Sequence, residues 1–474
     1  MMDQPVTIDG RARITSVHAK TIGGSVLTAF LVGILLLFPP AGLAPAAMPA
    51  AAVALFAIVF WATESLSGHV TALAFFLLAV VCGVSSGIVF SGFKSGGWWL
   101  AFSGLVIGIA IRRTGLAARL AHAVVGVFGQ SSRGLVCGLV FVGITLMFIM
   151  PSAIGRVLLL VPLAEALSER VGLTKGSPGA HGFVMAAAVG TLLPATAVLP
   201  ANLPNVLLMG AAGTLHGVTI HYGSYLLLHL PVTGVLKAAV IVVTILFLMP
   251  ATTRWVSHEA ATSPLTRYEW MLSIVLVVTL GLWLSDVWHG IDPAWIGLGA
   301  AVFCLLPPVG LVSEEGFQQV QLSLLIYLAG ILGLGSVVAH SGLGDALGKL
   351  LLTVTGLAPG SDWYNFVALV LVSTGVGLFT TAAGVPAVMS PLAGDLAQAV
   401  GWPVLTVLMT QVIGFSTILF PYQAPALVIA MERGDISLKT GLRLVMMLAV
   451  LSLVVLTPLN YLWWQLLGYF TPIP

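Results

Sequence analysis

Small polar residues and one arginine interrupt an apolar run at 150–156, MPSAIGR. A helix that restarts after Ser152 directs its free N–H groups and its positive dipole end into this apolar region, where they attract an anion. Arg156 falls in the first turn of that helix, and its planar guanidinium suits a carboxylate, sulfonate or sulfate. In the alternative interpretation, Arg156 reaches an interface or pairs with Glu165 as a structural contact. The candidate substrate-binding residues here are Ser152, Ala153, Ile154 and Arg156.

A second interruption, TTAAGVP, lies at 380–386. It supplies Thr380, Thr381 and Ala382 as further candidates for the same anion site. The alternative for these threonines, as for Ser152, is that the hydroxyl bonds the preceding helical turn.

Side-chain amides occur at two proline-flanked breaks, LPANLPN at 199–205 and FPYQAPA at 420–426. Asn202 and Gln423 take equivalent places in the two breaks, which favours contact with a substrate shared by both, and Ala424 adjoins the second. In the alternative interpretation, these amides and Asn205 bond the backbone groups that proline frees in a membrane helix.

Acidic residues follow both interruptions, with Glu165 in VPLAEAL and Asp395 in SPLAGDL. A carboxyl group in a low-dielectric setting has a raised pKa, as a proton carrier requires, so both are candidates for proton coupling. The alternative is that both are solvated near an aqueous end. The histidines and the three cysteines have no metal-ligand spacing, so the sequence predicts neither a metal site nor a cofactor.

Composition defines the surroundings of these residues. Of 474 residues, 59% are apolar and 7% are charged, against about 25% charged in soluble domains. The chain is therefore expected to be a polytopic, all-α membrane protein. A net charge of +2 without a basic patch excludes nucleic acid as a partner.

Eleven apolar runs are long enough to cross about 30 Å of hydrocarbon. Two more regions, 133–170 and 361–400, are each about twice that length but break at their midpoints, so we expect two re-entrant hairpins that are buried in protein or line a watery cavity. The predicted spans are 22–39, 47–65, 69–88, 98–112, 181–212, 224–250, 270–288, 294–311, 321–340, 403–431 and 441–468.

The lysine and arginine distribution predicts the orientation. With the N-terminus in the cytoplasm and the C-terminus outside, only Lys94, Lys349 and Lys237 lie on the external side. Arg156 then lies inside the membrane. The cytoplasmic side then receives Arg11, Arg13, Lys20, Arg112, Arg113, Arg119, Arg133, Arg170, Lys175, Arg254, Arg267, Arg433, Lys439 and Arg443.

An internal repeat relates 91–129 to 315–356, and the two proline-flanked breaks match each other. By the predicted orientation the copies are inverted, as in secondary transporters, whose substrate site lies near the midplane. The resulting domains are an N-terminal cytoplasmic segment, scaffold helices, repeat 1, a cytoplasmic linker and repeat 2, at 1–21, 22–90, 91–250, 251–269 and 270–474.

The run WATESLSGHVTALAFFLL at 61–78, the two hairpins and the two breaks resemble the divalent anion:sodium symporters, which carry dicarboxylates, citrate and sulfate. The resemblance implies a homodimeric scaffold in the inner membrane and a transport domain that moves as an elevator. It also implies that hairpin tips and break carbonyls bind substrate and enclose sodium. The matching coupling positions are Ser152, Ala153, Ala201, Thr381, Ala382 and Tyr422.

The family's hairpin tips read Ser-Asn-Thr, whereas Ala153 and Ala382 replace both asparagines here. We therefore expect a secondary transporter for a small dicarboxylate or a sulfate- or sulfonate-like anion, with sodium or protons as possible coupling ions and weakened or absent sodium dependence. The alternatives are a membrane subunit fed by an external binding protein, an anion channel, and a membrane enzyme, for which no catalytic cluster is visible.

Overall fold

The computed structural model describes residues 8–37, 47–63, 65–128, 131–251 and 264–471. Every regular element in these ranges is helical. The structure thus confirms the predicted all-α membrane fold. Residues 1–7 of the predicted N-terminal segment and 252–263 of the predicted linker lie outside the described ranges, and the first helix already begins at Ile8.

The first half of the chain has, among the described residues, six helices followed by a hairpin, a broken helix and a final span. Its helices are α1 (Ile8–Leu37), α2 (Met48–Ala62), α3 (Gly68–Val81), α4 (Ser86–Val89), α5 (Gly96–Thr114), α6 (Leu116–Val127), α7 (Ser132–Ile149), α8 (Ala153–Arg170), α9 (Pro178–Leu192), α10 (Leu203–His216), α11 (Tyr222–His229) and α12 (Lys237–Leu248). A π-helical segment, Leu230–Leu236, joins the last two into one continuous span.

The second half repeats this order. Its helices are α13 (Arg267–Leu284), α14 (Asp286–His289), α15 (Pro293–Leu305), α16 (Glu314–Phe317), α17 (Leu322–His340), α18 (Leu343–Thr355), α19 (Asp362–Phe379), α20 (Gly384–Met389), α21 (Ala393–Val400), α22 (Val404–Phe415), α23 (Pro425–Arg433), α24 (Leu438–Leu451) and α25 (Thr457–Leu466). A π-helical segment, Ser452–Leu456, again interrupts the final span.

Long helices of each half of the chain pack against helices of the other half. Helix α5 of the first half packs against α15 of the second half, and α17 of the second half packs against α3 of the first. Each of these long helices therefore contacts a helix of the other half. The same reciprocity holds deeper in the molecule, where α23 packs on α8 and α10 packs on α20. Each broken helix therefore contacts the hairpin of the other half, which brings both hairpin tips and both breaks together.

Proline chemistry accounts for the first hairpin tip. Pro151 has no N–H to donate and restricts the residue before it, so Met150 is extended and α7 ends at Ile149. Ser152 then caps α8, because its hydroxyl accepts a hydrogen bond from the Gly155 N–H at 3.1 Å. The second tip has no proline at this point, and extended Thr380 ends α19 instead.

Among the described residues, seven helices are long and apolar enough to cross a membrane, or nine if each sharply bent pair forms one span. The predicted count of eleven spans stays a prediction, since α2, α3 and α15 are apolar but shorter. One expectation from the charge distribution is wrong. Lys237 is not at an external surface but 3% exposed within the Tyr222–Leu248 span.

Candidate functional site

A cavity of about 660 Å³ lies where the two halves interlock. One wall is formed by both hairpin tips, at 153–154 and 381–383, and by both breaks, at 192–204 and 415–426. The rest of the lining comes from the α2–α3 connection and the start of α17, including Trp61, His69 and Tyr327. Its volume lies within the usual range of small-molecule sites, about 300–1,000 Å³.

The first turns of three helices line this cavity. Ala153 and Ile154 begin α8, Leu203 and Pro204 begin α10, and Pro425 and Ala426 begin α23. Initial N–H groups have no acceptor within their own helix, and the adjoining dipole ends are positive. No carboxylate lies in the described part of the wall. This arrangement favours an anion over a cation.

Asn202 lines the cavity and caps α10, because its Oδ1 accepts from the Asn205 N–H at 3.1 Å. Its amide nitrogen makes no hydrogen bond to the described residues, so it remains a donor for a ligand. Asn205 is fully buried instead, and its Nδ2 donates to the carbonyls of Thr196 at 3.1 Å and Val198 at 2.8 Å. Asn205 thus bonds the backbone of the break, whereas Asn202 caps α10 and keeps its amide nitrogen at the cavity.

Gln423 lines the cavity, but backbone groups take up its side chain. Its Oε1 accepts from the N–H groups of Leu419 and Phe420, and its Nε2 donates to the Gly377 carbonyl at 2.7 Å. Its own carbonyl accepts from the Ala382 N–H at 3.0 Å. Gln423 therefore ties the second break to the second hairpin tip, the alternative role considered from sequence.

The other residues expected at the second tip and break divide into two groups. Thr381, Ala382 and Ala424 line the cavity, and no side-chain hydrogen bond of Thr381 occurs among the described residues. Thr380 does not reach it, because its hydroxyl donates to the Val376 carbonyl at 2.9 Å. Tyr422 is 49% exposed and donates to the Leu378 carbonyl.

Arg156 does not line the cavity in this structure, contrary to expectation. It is fully buried, and its guanidinium donates to the hydroxyl and carbonyl of Thr191 at 2.8 and 3.2 Å, to the Ala201 carbonyl at 2.9 Å and to the Met150 carbonyl. These carbonyls stand at the ends of α7 and α9 and within the first break. Arg156 thus binds backbone oxygens that the helix interruptions leave without partners.

Lys237 forms the corresponding contact at the second break, and sequence reasoning missed it. Its ammonium donates to the carbonyl and hydroxyl of Ser416 at 2.7 and 2.8 Å. Ser416 directly follows Phe415, which ends α22 and lines the cavity. The sequence carries a signal for this position, because the apolar run at 224–250 continues well beyond Lys237 on both sides.

The two predicted proton carriers lie away from the cavity. Glu165 is half-buried in a separate pocket of about 120 Å³ with Glu169 and Lys175. Asp395 lies beside Gly348 of α18. Both carboxylates sit several turns beyond the tips on the second arms of their hairpins, and neither lines the cavity.

Comparison with known proteins identifies the family. Residues 18–470 match the model of the sodium:sulfate symporter transmembrane region. A membrane protein of Cupriavidus necator is 26% identical, with 84% of this chain and 83% of that protein covered. The L-tartrate/succinate antiporter of Escherichia coli K12 is 25% identical, with 79% of each chain covered. The chain therefore belongs to the sodium:sulfate symporter family, which confirms the resemblance to divalent anion:sodium symporters.

A solved structure agrees with this fold. The YdaH transporter of Alcanivorax borkumensis aligns with a TM-score of 0.57 at 16% identity and covers 84% of this chain and 89% of that one. Membership of the sodium:sulfate symporter family makes the chain a multi-pass membrane protein and a secondary transporter rather than an enzyme, as predicted.

Proposed function

We propose that this chain carries a small dicarboxylate, or a sulfate- or sulfonate-like anion, through the central cavity. The observation that supports the proposal is the convergence of three helix N-termini and the free Asn202 amide on a cavity whose described wall holds no carboxylate. An anion of this size accepts several N–H bonds at once, and its charge is stabilised by the helix dipoles. The named function of the Escherichia coli relative is consistent with this class.

The proposed mechanism is alternating access by an elevator movement. The hairpins and broken helices move as a unit against scaffold helices that include α2, α3 and α17, and two chains associate through the scaffold. The membrane is the inner membrane, with the N-terminus in the cytoplasm and the C-terminus outside. The cavity between the two sets of elements supports this division, because its two walls belong to different parts of the fold.

For coupling, we propose a carrier with weak or no dependence on sodium. Sodium requires about six hard oxygen ligands, by analogy with other hard cations. Ala153 and Ala382 offer no side-chain oxygen at the tips, and the Ala201 carbonyl already accepts from Arg156. A sodium ion that used the other lone pair of that oxygen would lie close to the guanidinium and be repelled by it.

Uptake into proteoliposomes tests the substrate and the coupling together. The purified chain should accumulate labelled succinate, tartrate or sulfate, and unlabelled anion inside should accelerate the uptake of label. Replacing sodium with choline should change the rate by less than about threefold, because Ala153 and Ala382 supply no side-chain oxygen for a sodium shell. A steep, saturable sodium requirement would contradict the coupling proposal while leaving anion transport intact.

The same assay distinguishes the alternative functions. A channel gives no acceleration by anion on the opposite side, whereas a carrier does. A subunit fed by a binding protein would be inactive alone and would gain activity from a periplasmic extract. Loss of counterflow in the purified chain would therefore overturn the proposed carrier.

A further inference from the structure

The central cavity is lined mostly by apolar side chains. Polar groups stand at a few points of the lining, among them the amide at the first break. Much of the remainder is aliphatic and includes Ile154, Leu192, Leu193, Leu203 and Ile418. Sites for organic ligands are commonly built in this way, with a few placed polar groups that fix orientation within an apolar surface. The lining therefore suits a ligand whose own surface is partly apolar.

The two hairpin tips present apolar groups where the family resemblance places amides. Ala153 and Ala382 stand at the positions of the family's asparagines and line the cavity, so each tip offers a methyl group. Ile154 follows in the first turn of α8, and 42% of its surface is exposed, so its side chain is available to a ligand. A wholly polar anion such as sulfate would leave this aliphatic surface in contact with water.

An aromatic pair from α2 and α17 adds to the apolar surface. The rings of Trp61 and Tyr327 pack edge to face with their centroids 5.7 Å apart, and both line the cavity. The indole N–H of Trp61 donates to the Gly68 carbonyl at 3.0 Å, so the ring offers carbon rather than a free donor to a ligand. A recess of about 30 Å³ shares both rings and Thr381 with the cavity. The pair thus lies beside the second tip, where it can pack against an aryl or alkyl group.

The cavity is larger than a short dicarboxylate needs. A four-carbon dianion held at the helix starts fills only a small part of about 660 Å³, and water fills the rest. A side group of several carbons would displace that water from the aliphatic and aromatic lining. This displacement is favourable, by roughly fourfold in affinity for each methylene that becomes fully buried.

We propose that the substrate is a dicarboxylate or sulfonate that carries an aryl or branched-alkyl body. Its acidic groups bind at the first turns of α8, α10 and α23, and its body packs against Ile154, Trp61 and Tyr327. This inference rests on the proposed anion transport and narrows its substrate class. It makes affinity rise with the size of the body until the cavity is filled, and it makes sulfate a weak ligand.

A ligand series on the wild-type chain provides the first test. Succinate, methylsuccinate, butylsuccinate and benzylsuccinate compete with labelled succinate in counterflow, and the dimethyl ester of benzylsuccinate is the uncharged control with the same body. The half-inhibiting concentration should fall by more than about tenfold from succinate to benzylsuccinate, and the ester should not compete. A flat series would overturn the inference and leave anion transport intact. Competition by the ester equal to that of the acid, or no counterflow of labelled succinate or benzylsuccinate, would instead contradict the proposed function.

Benzylsuccinate inside the vesicles distinguishes a substrate from a blocker. A carried anion on the inner side should accelerate the uptake of labelled succinate, whereas a ligand that binds without being carried should not. We expect acceleration at least equal to that given by unlabelled succinate. Tight competition without acceleration would overturn the assignment of this class as substrate.

Two residues one turn apart on α8 give a matched pair of variants. Ile154 lines the cavity, whereas Leu158 is similarly exposed, at 44%, but lies outside the lining. Ile154→Ala should lower the preference for benzylsuccinate over succinate by more than about fivefold, because three carbons of contact are removed. Leu158→Ala should keep the wild-type preference. An unchanged preference in the folded Ile154→Ala protein would overturn the placement of the body, and if this variant does not fold, the ligand series and the acceleration measurement decide alone.

Discussion

The two hairpin-and-break units have similar backbones but different side chains at equivalent points. In the first unit, α7–α10, the guanidinium of Arg156 comes from the unit's own hairpin. In the second, α19–α23, the ammonium of Lys237 comes from the span that follows the first unit. Both cations bind oxygens at the C-terminal end of the first half of a broken helix.

This comparison distinguishes the hydrogen bonds that any interrupted membrane helix requires from the particular side chains that supply them in each unit. An interrupted membrane helix leaves carbonyls that must find donors, since no water is available in hydrocarbon. Both units meet that requirement with one cation and one amide: Arg156 with Asn205 in the first, and Lys237 with Gln423 in the second. The four contacts serve the same purpose, but they come from different residue types at different positions in the two units.

Replacing Arg156 with alanine should cause the largest loss of stability and transport. It orphans buried carbonyls at Met150, Thr191 and Ala201, and each orphaned buried acceptor costs about 1–3 kcal/mol. We expect a large loss of thermal stability in detergent and no transport. Fluorescence-detected size-exclusion chromatography after a temperature series measures the first, and counterflow the second.

Two further variants control that result. Arg133→Ala, at an exposed arginine on the same hairpin, should leave both readouts near wild type. Arg156→Lys should recover little, because an ammonium cannot reproduce the planar fork that reaches three residues. A stable and active Arg156→Ala protein would contradict the role of the guanidinium in the first break.

Truncation of Gln423 should have the next largest effect. Gln423→Ala deprives two N–H groups and one carbonyl of partners, and each orphaned group costs about 1–3 kcal/mol, less where cavity water replaces it. Asn205→Ala removes the amide that bonds the break carbonyls in the first unit, and it should destabilise the protein by a similar amount. Chemical denaturation of both variants in mixed micelles compares them. A much smaller effect for one of the two would break the proposed equivalence of the units.

The sequence predicts the backbone of these units far better than their side-chain contacts. Proline at 151, 200, 204, 421 and 425 interrupts helices by local chemistry, so the first tip and both breaks can be located without a structure. Contacts between halves depend on how the helices pack, which no local pattern encodes. The buried position of Lys237 and the backbone role of Gln423 both follow from the reciprocal packing of the two halves.

The inward orientation expected for Arg156 fails for a related reason. Its position in the first turn of α8 is as predicted, and an arginine there can turn either to the cavity or to the neighbouring helix ends. The carbonyls of Thr191 and Ala201 come from residues 35 and 45 positions away in the chain. Their convergence is a property of tertiary structure, and it directs the guanidinium behind the cavity wall.

Asn202→Asp should have the smallest effect on stability. It separates two roles of one residue, the helix cap on α10 and the proposed contact with the anion. Aspartate caps a helix about as well as asparagine, so the hydrogen bond from the Asn205 N–H should survive and stability should change by less than about 0.5 kcal/mol. The substitution replaces the free amide donor with a carboxylate in a cavity that is proposed to hold an anion. Like-charge repulsion in a partly desolvated site should weaken succinate binding by more than about tenfold. Substrate-dependent thermal stabilisation measures both quantities in one experiment, and an aspartate variant that binds succinate as tightly as the wild-type protein would remove Asn202 from the substrate site.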